Sequence, residues 1–273
     1  MSEIAAIGSP TSSLPERRLR KLSAKTKAYG KSMCDLFALS ASSDYSAPQA
    51  LPIFAVRGKK NMDGWGIGYF KKGAALVEKS AHSVYTEGRL HDSFQRLARV
   101  VSGRVIISHV RFRTSGPIDD CHAHPFVLHF GGHDWIFAHN GKAPLIESYV
   151  SPGIRLDEAV SDSARTFEYL RDGLTATDRS STLNGALFGL LKQATAQLIR
   201  DYPGNYNYLL SNGTTLFAFT NYRQWMLLKG SRNLEKGLLL TTLEQGLSGE
   251  RWVRGERKQD SLGELLAIVG TDI

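Results

Sequence analysis

Four short islands of this chain carry side chains that can do chemistry: "MCDLF" (33–37), "HVRFRTSG" (109–116), "AHNG" (138–141) and "SDS" (161–163). They offer a thiol at Cys34, two arginines with hydroxyls nearby, an Asn140-Gly141 pair and a carboxylate at Asp162. Each island sits at a strand end or a helix start, where sites are usually built. Every one of these residues also has an ordinary structural use. Cys34 could be a small buried hydrophobe on a strand, Asn140-Gly141 a tight turn and Asp162 a helix N-cap. Arg111 and Arg113, two apart on a strand, share a face, and one of them could be a structural ion-pair arginine.

The elements that would position these islands are short. "CDLFALSA", "GWGIGYF", "AALVEKS", "RVIISHVRF", "FVLHF" and "WIFAHNG" read as strands, and "YNYLLSNGTTLFAFTN" as a hairpin turning at Asn212-Gly213. "QWMLLKG", "GLLLTTL" and "GELLAIVG" follow as further strands. Three helices interrupt them. The first spans roughly residues 88–101 with Leu90, Phe94, Leu97 and Val101 on one face. The second opens at "SDSARTFEYLRDGL", capped by Ser161 or Asp162, with Phe167 and Leu170 inward. The third is "STLNGALFGLLKQATAQLIRDY". Many short strands with a few long helices predict an α+β layered domain.

Composition narrows the classes further. The net charge of +8 is concentrated in residues 1–32, which hold seven Lys/Arg against Glu3 and Glu16, so the folded part gives little support for nucleic-acid binding. No run approaches the roughly 18 apolar residues of a membrane span. The leader lacks the apolar core, typically about 7–15 residues, of a signal peptide, which makes the cytoplasm the expected location. The leader is polar and rich in Ser, Pro and Lys, and is expected to lack regular structure. Two cysteines, Cys34 and Cys121, make no disulfide framework for a chain of 273 residues.

Taken in order, "MCDLF", "NMDGWGIGYF", "SHVRFRTSG", "HAHPF", "FAHNG" and "SDS" resemble the class II glutamine amidotransferases, members of the N-terminal-nucleophile hydrolases. The nearest likeness is to the stand-alone branch with a "DGWG" island, which includes uncharacterised bacterial amidotransferase-like proteins and γ-glutamyl hydrolases of thiol metabolism. The resemblance runs from residue 33 to about 270, and it implies an αββα four-layer sandwich. It also implies that Cys34 is the nucleophile, made N-terminal by loss of Met33, with its own α-amine as the base. An α-amino group titrates near pH ~8, so it can take the thiol's proton and pass one to a departing amine. By the same resemblance the Asn140 amide and the Gly141 N–H form an oxyanion hole. Arg111 binds the substrate's α-carboxylate, with Thr114 and Ser115 adding hydroxyls, and Asp162 binds its α-ammonium. Two departures stand out: Ser115 replaces the histidine of several relatives, and Ala164 follows "SDS" where a glutamate is common.

Other candidates carry less. Cys121, His122 and His124 fit no common zinc spacing, so no metal and no cofactor is expected. "GWGIG" is not followed by a helix, and so fails as a dinucleotide loop; Asp63, Gly64, Trp65 and Gly66 are expected to shape a pocket wall or pack a sheet. His109 and His139 are expected to hold the site by hydrogen bonds, and Tyr69, Phe70 and Trp135 to be core. The implied activity is cleavage of the side-chain amide of glutamine, or of a γ-glutamyl amide, through a γ-glutamyl thioester. The partner is then a small molecule, with a separate synthase subunit as the ammonia acceptor if there is one, and homo-oligomers left open. Residues 1–33 would be a leader absent or removed from the active protein, and 34–273 the amidotransferase domain. The rival reading is a non-catalytic binding or regulatory protein on the same fold.

Overall fold

The run Leu36-Phe37-Ala38-Leu39 is apolar on both faces of a strand, and such a strand needs cover on both sides. The computed structural model supplies that cover. It describes residues 4–7, 33–114, 116–153, 161–175, 184–230, 236–247, 250–255 and 262–273. Strand β2 (Asp35–Tyr45) lies inside a seven-stranded sheet. Its partners are β3 (Trp65–Lys71), β4 (Ala74–Ser80), β7 (Gly103–Val110), β12 (Met226–Lys229), β13 (Leu238–Thr241) and β14 (Val253–Arg254). They run in the order β14-β12-β13-β2-β7-β3-β4. A second sheet, in the order β1-β15-β11-β10-β9-β8, is built from β1 (Ile4–Ile7), β8 (Phe126–Phe130), β9 (His133–Lys142), β10 (Asn205–Ser211), β11 (Leu216–Thr220) and β15 (Gly263–Ile268). Among the described residues every strand pairing in both sheets is antiparallel. A two-stranded ribbon of β5 (Tyr85–Thr86) and β6 (Arg89–Leu90) stands apart.

Three cores separate four layers. Between the sheets lie Leu36 and Ala38 of β2, Ile107 of β7, Ile136 and Ala138 of β9, and Leu209 of β10. The odd-numbered residues of β2, Phe37 and Leu39, face the other way, onto α1 (Ala50–Ala55) and α2 (Asp92–Val100) through Leu51, Phe54 and Phe94. The odd-numbered residues of β9, Trp135 and Phe137, face α3 (Asp162–Thr175) and α4 (Asn184–Asp201) through Phe167, Leu170 and Leu191. The period of two along a strand therefore sorts one residue into the inter-sheet core and the next into a helix layer. This is the αββα sandwich implied by the sequence resemblance.

Several expectations shift at the edges. The first long helix begins at Asp92, because Arg89–Leu90 pair with Tyr85–Thr86 instead. α1 was not read from the sequence; six residues with a proline among them carry no helical repeat. The hairpin turn uses residues 212–215, not two residues, with Asn212 Oδ1 accepting the Thr214 and Thr215 amides. The leader was expected to lack regular structure, but Ile4–Ile7 pair with β15. That apolar tetrapeptide covers backbone groups which β15 would otherwise leave open at a sheet edge. Residues 8–32 lie outside the described residues.

Among the described residues the sandwich buries four histidines, His109, His122, His124 and His139. His109 of β7 faces the inter-sheet space and meets His124 at 3.3 Å between ring nitrogens, and His139 of β9 points into the α3 layer. Burial pulls His109 down to about 3 and also holds His124 and His139 below the usual range. An unfolded histidine takes a proton near 6.5, whereas the folded His109 does so only near 3. Stability therefore falls as pH drops through that window, by up to ~1.4 kcal/mol per pH unit for each such group. Thermal unfolding midpoints should decline from neutral pH toward about pH 4, and His109→Gln should flatten the decline. In the helix layer, Phe167 stacks on Phe137 at a centroid distance of 4.9 Å and is fully buried. Phe167→Ala should cost about 3–5 kcal/mol in chemical denaturation, whereas Val100→Ala, at a residue 72% exposed, should change stability by less than about 0.5 kcal/mol.

Candidate active site

By the alternation of β2, Cys34 falls on the side of Leu36 and Ala38, facing the second sheet. Its Sγ–H donates to the Phe112 carbonyl at 3.1 Å, and its sulfur accepts the Phe112 amide at 3.2 Å. Asn140 sits on β9 with the parity of Ala138, so it reaches back across the same space. Its Nδ2 donates to the Cys34 carbonyl oxygen. Asn140 is almost fully buried, and its Oδ1 has no partner among the described residues. Gly141 follows on β9, where a Cβ would lie 1.9 Å from the Asn205 carbonyl oxygen and 2.8 Å from His139 Nε2. Only a glycine fits that approach.

Arg111 leaves the end of β7 buried, its Nη2 donating to the Pro117 carbonyl at 2.8 Å. Arg113 and Thr114 are exposed, and Ser115 lies outside the described residues. The Arg113 amide donates to Asp63 Oδ2 at 2.7 Å, which ties "DGWG" to the arginine segment. Asp162 opens α3 with its Oδ2 accepting the Ala143 amide at 2.9 Å, just past β9. The cap falls to Ser161, whose Oγ accepts the Ala164 amide at 3.2 Å, so Asp162 is not spent on it. Three islands thus converge on the fourth. Burial pushes the Cys34 thiol up to about 12; the Phe112 amide and the Arg111 charge pull it down, and the charges of Asp35 and Asp162 raise it.

The histidines are committed to structural contacts. His139 Nδ1 meets Ser163 Oγ at 2.8 Å and its Nε2 meets the Asn205 carbonyl at 3.3 Å. His122 pairs with Asp119 at 2.6 Å, while His124 turns to His109, so neighbours in sequence point to different partners. Among the described residues no group of three or more His, Cys, Asp and Glu side chains gathers as a metal site would need. The glycines of "GWGIG" serve packing: a Cβ on Gly66 would lie 2.1 Å from the His124 carbonyl oxygen, and one on Gly68 would lie 2.9 Å from Ile136.

Sequence reasoning passed over the groups that hold Cys34 from behind. Asp35 is fully buried and accepts from Arg57 at 2.7 Å, Arg223 at 3.0 Å and Asn61 at 3.2 Å. Asn61 also donates to the Met33 carbonyl at 2.9 Å, and Arg223 to the Cys34 carbonyl at 3.1 Å. One signal was available: a carboxylate inside the apolar run "CDLFAL" needs a cationic partner if it is to be buried. Which cations would arrive was not readable, because Arg57 and Arg223 come from segments far away in sequence.

Comparison with known proteins identifies the family and the fold. Residues 33–233 match the family described as "Glutamine amidotransferases class-II". A gamma-glutamyl-hercynylcysteine sulfoxide hydrolase of Mycobacterium tuberculosis is 31% identical over 180 residues, covering 63% of this chain and 67% of that protein. A Haemophilus influenzae protein provisionally named a glutamine amidotransferase is 24% identical over 176 residues, covering 63% of this chain and 53% of its own. A Methanocaldococcus jannaschii protein is 26% identical, with 70% of this chain and 52% of its own covered. The chain thus spans about half the length of the last two relatives. Among solved structures, a predicted glutamine amidotransferase from Pseudomonas aeruginosa aligns with a TM-score of 0.59 at 19% identity, over 88% of this chain and 98% of that one. The glutamine phosphoribosylpyrophosphate amidotransferase of B. subtilis aligns at 0.58 and 17% identity, over 88% of this chain and 48% of that one. These structural likenesses establish the fold, one shared with glutamine amidotransferase structures. The match of family, fold and ordered islands leads to one assignment: the chain belongs to the class-II glutamine amidotransferases.

Proposed function

We propose that this protein is a cysteine-dependent amidohydrolase acting on the side-chain amide of glutamine or of a γ-glutamyl amide. The observation that carries the reading is the meeting of Cys34 with Asn140 across the two sheets, with the charges of Arg111 and Asp162 felt at the thiol. The M. tuberculosis relative, named for hydrolysis of a γ-glutamyl compound, favours a γ-glutamyl amide as the substrate class.

In the proposed reaction the α-amine of Cys34 takes the thiol proton and the thiolate sulfur attacks the γ-carboxamide carbon. The carbonyl π bond opens to a tetrahedral oxyanion, which accepts hydrogen bonds from the Asn140 amide and the Gly141 N–H. Such donors each typically contribute ~3 kcal/mol. The ammonium formed at the α-amine protonates the departing nitrogen, the C–N bond breaks, and a γ-glutamyl thioester remains on Cys34. Water, deprotonated by the same amine, attacks the thioester and frees glutamate with the thiol restored. Arg111 would hold the α-carboxylate as a planar fork, with hydroxyls from Thr114 and Ser115, and Asp162 would hold the α-ammonium. Asn140 Nδ2 has two hydrogens, so its bond to the Cys34 carbonyl leaves one for the oxyanion.

This mechanism needs a free amine on Cys34, and therefore loss of residues 1–33, with 34–273 as the working domain. While Met33 is attached, the nitrogen is a non-basic amide and the thiol stands near 12. That form corresponds to the second reading, a non-catalytic protein on the same fold. Loss of the leader also removes β1 and leaves β15 at the sheet edge. We further propose that the enzyme works in the cytoplasm, and that ammonia used in a synthesis would pass to a synthase on a separate chain.

Two substitutions test the reading through the release of ammonia from glutamine and of amine from γ-glutamyl amides. Cys34→Ala should reduce turnover to background while the unfolding midpoint stays unchanged. Asn140→Ala should lower kcat by about 10²–10³-fold. Turnover that survives Cys34→Ala would refute the assignment of the nucleophile.

A further inference from the structure

We propose that Asp35 and Arg223 are positioning residues which fix the main chain of Cys34 and set the charge its thiol experiences. The inference rests on Cys34 being the nucleophile, and it assigns work to two residues outside the four islands. Asp35 follows Cys34 and has the opposite parity on β2, so its carboxylate lies behind the strand, away from the inter-sheet space. It is fully buried, and a buried carboxylate is retained only when paired and hydrogen-bonded. Arg57, from the 3-10 turn Val56–Lys59 after α1, gives its Nε to Oδ2. Arg223, from the turn between β11 and β12, gives its Nη1 to Oδ1.

Arg223 does more than neutralise. The same Nη1 donates to the Cys34 carbonyl, and Nη2 donates to the Thr242 carbonyl at 2.6 Å beyond β13. Its own backbone is pinned: the Arg223 amide donates to Asn207 Oδ1 at 2.9 Å, and its carbonyl accepts from Asn207 Nδ2 and Thr220 Oγ1, both at 2.5 Å. Asn207 is the direct cross-strand neighbour of Asn140 in the β9–β10 pairing. The contacts close a ring. Asn140 donates to the Cys34 carbonyl, Arg223 donates to the same oxygen, Asn207 pins Arg223, and Asn207 pairs with Asn140. A thiol and an oxyanion donor that must be placed within about half an ångström of a productive geometry need such support.

Three charges are felt at the thiol: Asp35 behind β2 and Asp162 at the start of α3 raise it, and Arg111 after β7 lowers it. Arg57 and Arg223 stand beside Asp35 as its ion-pair partners, with Arg223 also on the Cys34 carbonyl. Arg57 and Arg223 open onto a cavity of about 470 Å³ walled by Ile53, Leu243 and Leu247, whereas Asp35 has no exposure at all. Asp35 and Arg223 carry opposite charges next to the Cys34 main chain, so removing one or the other should shift the thiol in opposite directions.

Site-resolved alkylation of Cys34 with iodoacetamide tests this on the full-length chain. Mass analysis of the Cys34 peptide separates it from Cys121, and no glutamine turnover is required, so the result is independent of whether the proposed reaction occurs. Asp35→Asn should raise the labelling rate at neutral pH about fivefold, which corresponds to ~0.7 unit in the thiol titration. Arg223→Met should lower it by a similar factor, and Arg223→Lys should stay near the parent rate. Arg223→Gln, which keeps a donor for the Cys34 carbonyl, replaces the methionine variant if that one does not fold. Opposite shifts support the proposal. Rates that do not move, or that rise together as they would on loosening of the fold, overturn it.

Discussion

Two sheets that share no strand meet face to face, and at one end of their interface the side chain of Asn140 on one donates to the carbonyl oxygen of Cys34 on the other. Most of what makes this protein a candidate enzyme follows from that contact. It requires a filled inter-sheet core, in which Ala38, Ala138, Ile107 and Leu209 pack with Phe70 and Trp225 and hold the sheets at packing distance. It also requires glycine at position 141, where the Asn205 carbonyl leaves no room for a side chain. The helix layers act from outside. α3 presents Asp162 beyond the end of β9, and the 3-10 turn after α1 brings Arg57 to Asp35.

The polar groups gathered here would be costly in a sandwich core if left unpaired. The structure offsets the cost by networks. Asp35 has two arginines and an amide. His109 and His124 face each other, with burial keeping both deprotonated. Among the described residues some buried side-chain atoms around the site still lack a partner, Asn140 Oδ1, Asn61 Oδ1 and His109 Nδ1 among them. Unmet hydrogen-bonding capacity of this kind is more common at working sites than in structural cores.

Much of this was legible in the sequence, for definite reasons. The strands of "CDLFALSA", "RVIISHVRF" and "WIFAHNG" announce themselves because both faces are apolar, and the αββα layering is consistent with that double burial. Ser161 and the Phe167–Leu170 face of α3 were readable because caps and helical spacing are local properties. Strand pairing was not readable, since a period of two names no partner, so nothing in "NYRQW" foretold that Arg223 would reach Cys34. The leader misled through its composition: Ile4–Ile7 are too few to register beside a long polar stretch, yet four residues suffice to extend an open edge at β15. The positions of Arg111 and Asp162 around the thiol followed the order of the islands, whereas Thr114 emerged exposed.

The proposed mechanism turns on the state of the Cys34 nitrogen, because an amide there offers no base to a thiol that burial pushes up to about 12. The most direct measurement is the intact mass of active protein from its native host, taken before and after reaction with a glutamine-mimicking electrophile. The account predicts a chain beginning at Cys34 that gains one adduct, located on that residue. Active material that retains residues 1–33, or an adduct located on any other residue, would contradict it.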